Sequence, residues 1–148
     1  MDELNDFLKL NGFVLALEPV ISKKYFGNYI CEYTNNAFGT RIRLISDRGY
    51  IYVYISRLET DRWYGIISIL MSLYKKRRRC FLTKDQETDW NYFHNLTSSK
   101  DIIQTDIQVK LLRRYFNEVM TIFYENNLQF LSKIESEVIE INQFIENS

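Results

Sequence analysis

At 148 residues, 46% hydrophobic and 26% charged, the chain has the balance of one globular domain, which argues against disorder. Its 19 Lys plus Arg are matched by 19 Asp plus Glu. A net charge of zero argues against a domain dedicated to nucleic acid, whose affinity comes mostly from phosphate contacts. An aromatic set of 11 Tyr, 10 Phe and 2 Trp, against 1 Pro and 5 Gly, points to regular structure joined by short turns.

The opening "MDELNDFLKL" is acidic and amphipathic, so no signal peptide is expected. Leu4, Phe7 and Leu8 recur at helical spacing, and the spacing predicts a helix over 2–10 stopped by Asn11–Gly12. "FVLALEPV" follows as a strand ended by Pro19, and "NYICEYTN" as a second.

"TRIRLISDRGYIYVYIS" is the most informative stretch. A two-residue turn at Arg48–Gly49 sets Leu44 against Val53, Ile42 against Ile55, Arg43 against Tyr54 and Ile45 against Tyr52. That parity keeps one face aliphatic and gathers Arg and Tyr on the other, and a one-residue slip would mix the two.

Beyond residue 60 the period becomes helical. Trp63, Ile66, Ile67, Leu70, Met71 and Tyr74 form one apolar stripe, with Thr60 or Asp61 as cap. Val109, Leu112, Phe116, Val119 and Phe123 form a second. Leu131, Ile134, Val138, Ile141 and Ile145 form a third, with a break at Asn126–Asn127. The expected fold is therefore α+β and a single domain over 1–148. It has an antiparallel meander of about four strands, a short helix before it, and amphipathic helices after it on the aliphatic face.

Signatures of chemistry are missing. There is no phosphate-binding loop, dinucleotide fingerprint or nucleophile elbow. The single histidine, His94, stands among aromatics in "WNYFHNL" and is read as a partly buried structural or a surface residue rather than a catalytic one. Cys31 and Cys80 lack metal-ligand spacing and are read as free thiols of a reduced, cytoplasmic protein. No cofactor or metal is expected. The longest apolar window, "YGIISILMSLY", is short of the ~20 residues a membrane span needs, so no membrane association is expected.

Two surfaces are candidates for binding a partner. One is the sheet face of Arg41, Arg43, Tyr50, Tyr52 and Tyr54, with Tyr29 and Tyr33 as further members. Tyr and Arg are frequent interface anchors, although Tyr also suits any half-exposed sheet and the face could lie under another element. The other is the run Lys75, Lys76, Arg77, Arg78 and Arg79 at a helix C-terminus. Cations there offset the helix dipole. The segment after Tyr115, six acids against Lys133, matches the run in opposite charge and offers it an internal partner.

The order of elements, with "NDFLKLNGF", "KYFGNYICEYTN", "RIRLISDRGYIYVYIS" and "RWYGIISIL" in succession, resembles the immunity proteins of bacterial polymorphic toxin systems over roughly residues 4–73. Ile45–Ser46–Asp47–Arg48–Gly49 is the most specific piece. The resemblance implies a non-enzymatic cytoplasmic protein that binds and neutralises a toxin domain. The neutral charge departs from the acidity of inhibitors of basic nucleases. A nucleic-acid-associated domain using residues 75–79 is the alternative reading, and an enzyme of unrecognised type the third.

Overall fold

The computed structural model describes residues 2–21, 28–47, 49–76, 88, 106–124 and 128–139. The fold is α+β. Helix α1 (Asp2–Leu10) precedes strands β1 (Val14–Ile21), β2 (Tyr29–Asn35), β3 (Thr40–Asp47), β4 (Tyr50–Arg57) and β5 (Tyr64–Gly65). Helices α2 (Ile66–Lys76), α3 (Ile107–Arg114), α4 (Phe116–Tyr124) and α5 (Leu128–Leu131) follow. The five strands form one antiparallel sheet in chain order, so the meander has a short fifth member beyond the expected four.

Helix α1 ends where its sequence requires. The Asn11 side-chain amide donates to the Phe7 carbonyl at 2.8 Å, and Gly12 takes a φ of 86°, a left-handed conformation that glycine adopts without penalty. Leu4, Leu8 and Phe13 then face the sheet and are buried, while the Tyr33 hydroxyl donates to Asn5 at 3.0 Å and fixes the helix on it.

Strand β1 does not stop at Pro19 but runs through it to Ile21. The strand lies at the sheet edge, and Pro19 falls between Leu17 and Val20, where the register against β2 shifts. A proline is tolerated at such a position because no ladder hydrogen bond depends on its missing N–H.

The hairpin of β3 and β4 has the expected register, with Ile42 opposite Ile55, Leu44 opposite Val53, Arg43 opposite Tyr54 and Ile45 opposite Tyr52. Ile42, Leu44, Val53 and Ile55 are fully buried on the face that meets the helices. Helix α2 contributes Ile66, Ile69 and Leu70 to this core, and α3 contributes Leu111 and Leu112.

Three expectations are corrected. Trp63 is not on the α2 stripe. The helix begins at Ile66, and Trp63 is extended just before β5. The second stripe is two helices, because Tyr115 (φ −105°, ψ 19°) interrupts it. Adjacent residues of a straight helix point about 100° apart, and the interruption lets both Tyr115 and Phe116 reach the core. The third stripe is not a helix beyond Leu131: residues 132–139 leave the helical path, and Glu137 pairs with Trp63 instead. The break foreseen at Asn126–Asn127 lies outside the described residues, as do Ile141 and Ile145. No described helix is long and apolar enough to cross a membrane.

Gly49 closes the hairpin with a φ of 85°, and a Cβ added there would meet nothing within 4 Å. Gly49→Ala therefore introduces backbone strain without a clash. It is expected to lower stability by about 1 kcal/mol in urea unfolding with an unchanged m value, and Gly49→Asn to cost less. An alanine variant as stable as the parent would contradict this turn.

Candidate functional site

The sheet face opposite the helical core carries Arg41 and Arg43 from β3 and Tyr50, Tyr52 and Tyr54 from β4, brought together by the hairpin register. Tyr29 and Tyr33 do not join them. They share parity with Cys31, which pairs with Leu44, and so belong to the core face, where Tyr33 is buried. Glu32, opposite Arg43, takes the place on β2 that the tyrosines were expected to hold.

The two ends of this face differ. At one end Arg43 and Glu32 are each 8% exposed. Arg43 Nε donates to Glu32 Oε2 at 2.9 Å, and Arg41 Nη1 lies 3.5 Å from Glu32 Oε1. Both guanidiniums also lie over the Trp63 ring, with their central carbons 4.7 Å (Arg41) and 4.3 Å (Arg43) from its centroid.

One carboxylate faces two cations, and the excess positive charge is met by the indole face and by backbone carbonyls. Arg41 donates to the carbonyls of Thr60 and Arg57, and Arg43 to that of Ile139. Asp61, 3.3 Å from Arg41 but largely exposed, adds little through solvent screening.

Trp63, fully buried, is the residue that sequence reasoning misplaced. Its N–H donates to the Glu137 carbonyl and its carbonyl accepts from the Glu137 N–H, both at 2.8 Å. This pair docks residues 134–139 as a strap beside β5, and Arg43 holds the strap again at Ile139. Arg41 and Arg43 are thus turned into the fold, and the part of the face open to solvent is narrower than the sequence suggested.

At the other end, towards the hairpin tip, Tyr50 is 38% and Tyr52 37% exposed. Tyr54, between the two ends, is half-buried. Beyond β5 the outer edge of β4 is unpaired by strand, and Gln108 of α3 meets it: its side-chain oxygen accepts from the Val53 N–H at 2.9 Å. Among the described residues this is a helix side chain doing what a neighbouring strand would otherwise do.

Lys75 and Lys76 end α2 as expected, but their side chains lie outside the described residues, and so do Arg77, Arg78 and Arg79. His94 and Cys80 also fall outside them. Cys31 is buried, and burial pushes its thiol up to about 11, so it is a protonated core residue at neutral pH. Among the described residues no group of three or more His, Cys, Asp or Glu is placed to hold a metal ion.

No family model, curated protein or solved structure matches the chain.

Among the described residues Cys31, Tyr54 and Tyr29 shape the response to alkali, Tyr29 being raised by burial and then by Cys31. Burial raises the Cys31 thiol to about 11. Burial, then Glu137 and then Tyr52 raise the Tyr54 phenol to about 12. All three bind their protons more tightly folded than unfolded. Their contribution is complete below the unfolded values of 9.0 and 10.0 and is lost as pH rises through the folded ones. The urea midpoint is expected to hold to about pH 9 and fall between about 9 and 12, with Cys31→Ala flattening the lower part and Tyr54→Phe the upper. A midpoint independent of pH over that window would contradict these burials.

Proposed function

We propose that this protein is a non-enzymatic protein-binding domain, and that it acts as an immunity-type inhibitor occluding a cognate bacterial toxin in the cytoplasm. The observation that carries the reading is the pair Tyr50 and Tyr52, large aromatic side chains partly open to solvent on a strand whose register is fixed by its pairing with β3. Tyrosine combines a broad apolar ring with a polar tip and loses little rotamer freedom on binding, which suits it to anchor an interface.

The rigidity beneath them supports the same reading. β4 is hydrogen-bonded to β3 along its whole length, and Val53 and Ile55 lock it to the core. Anchors on such a strand need little ordering when a partner arrives, so more of the contact energy appears as affinity. Inhibition would be steric, with the Tyr50–Tyr52 surface placed over the toxin's working face and rim charges setting the encounter rate.

The test is capture from lysate of the source organism on the immobilised protein, followed by identification of what remains at high salt. The expected result is one protein whose expression is toxic and whose toxicity co-expression of this chain relieves. Tyr50→Ala with Tyr52→Ala is expected to weaken that complex by at least about thirtyfold, the ~2 kcal/mol of an interface hot spot. Unchanged affinity in a folded double variant would remove the tyrosine face from the interface. Relief of toxicity without binding would overturn occlusion.

A further inference from the structure

Beside the exposed tyrosines lies a solvent-open cleft of about 160 Å³, bounded by β4, Gly65, the first turn of α2 and the strap. Gly65 creates it. Gly65 is opposite Tyr54, so a side chain there would stand on the same face, and a Cβ at that position would lie 3.9 Å from Tyr54 Cε1 and 4.0 Å from Ser68 Oγ. Both atoms belong to the cleft walls, and both distances are ordinary contacts. Nor does Gly65 have the positive φ that Gly12, Gly39 and Gly49 have. Neither backbone conformation nor crowding calls for glycine here, and its effect is to leave space.

The walls are mostly aromatic and polar. Tyr52 and Tyr54 supply rings, Ile67 an aliphatic side chain, Ser68 a hydroxyl, Gln108 an amide whose oxygen already accepts from the Val53 N–H, and Glu135 and Glu137 the charged groups of the lining. Neither carboxylate forms an ion pair with a described residue, in contrast to Glu32, which has two arginines. The start of α2 borders the cleft and brings the positive pole of a helix, roughly half a charge, against two full negative ones. Among the described residues the sum is negative, which disfavours an anion.

The same chain shows what an aromatic ring beside a carboxylate accommodates. Arg41 and Arg43 lie over Trp63 while their guanidiniums meet Glu32. We propose that the cleft is a socket for a cationic side chain, lysine or arginine, presented by the protein partner. This deepens the protein-binding reading and rests on it. The tyrosine rings take the cation and its alkyl stem, and the carboxylates, exposed and screened, set the sign of charge that enters. Its role is selection of partner and register more than total affinity.

The probes are N-acetyl-arginine amide, N-acetyl-lysine amide and the neutral near-isostere N-acetyl-citrulline amide, titrated into the full chain by NMR. The two cations are expected to shift the Gly65 and Ser68 amides saturably, at least about fivefold more tightly than citrulline. Glu135→Gln with Glu137→Gln is expected to remove that preference. Gly65→Leu, which fills the cleft without changing its charge, is expected to remove binding of all three. Equal binding of citrulline, shifts spread over the surface without saturation at Gly65, or a response to inorganic phosphate instead would each overturn the socket. These readouts involve no partner: a missing toxin leaves them intact, and their failure leaves the tyrosine interface standing.

Discussion

One carboxylate between two guanidiniums, with an indole ring beneath both, is the constraint on which this face of the molecule depends. Glu32 comes from β2, Arg41 and Arg43 from β3, Trp63 from the approach to β5, and the carbonyl of Ile139 from the strap. Burying such a cluster is worthwhile only because every charge meets a partner. Removing one member of a buried pair typically costs 3–5 kcal/mol, since the other is left unsatisfied in a poor solvent. The cluster adds specificity as well, because only the observed register places Glu32 opposite Arg43 and Arg43 opposite Tyr54.

This explains why the sheet is covered on both sides at its centre. An antiparallel sheet commonly buries one face and wets the other. Here the helices bury Ile42, Leu44, Val53 and Ile55, while the arginine–tryptophan cluster and strap close over the opposite side of the same strands. Towards the hairpin tip that cover ends, and Tyr50 and Tyr52 meet solvent. The boundary between covered and open sheet is the cleft at Gly65, so the geometry proposed for recognition follows from where the strap is fixed.

What could be read in advance divides along a physical line. The α1 helix, its stop at Gly12 and the register of the β3–β4 hairpin were legible because each is encoded by neighbours in the chain: a helical or alternating period and a glycine of positive φ. Trp63 was misread because its spacing to Ile66, Ile67 and Leu70 fits a helix stripe, and only its distant pairing with Glu137 draws it out. The same pairing is why Ile134 and Val138, spaced as in a helix, lie on a strap. Gln108 on the edge of β4 and Glu32 under the two arginines were equally invisible, being long-range matches of one polar group to another. Gly65 carried a readable hint, a glycine between Trp–Tyr and an apolar run where no turn was expected.

Arg43, through Glu32, Trp63 and Ile139, holds the strap on the sheet. Amide hydrogen exchange of Arg43→Met tests it most directly, because methionine keeps much of the bulk and loses every polar contact. The Trp63 and Glu137 amides, which bond each other's residues across the strap, are expected to lose at least about tenfold protection. The Leu44 amide within the sheet reports the loss of global stability, so the reference is Val53→Ala, which lowers that stability from the core face without touching the cluster. Val53→Ala is expected to speed Leu44 and leave Trp63 and Glu137 as slow as in the parent. Protection at Glu137 unchanged in Arg43→Met, or lost equally in both variants, would show that Arg43 does not hold the strap.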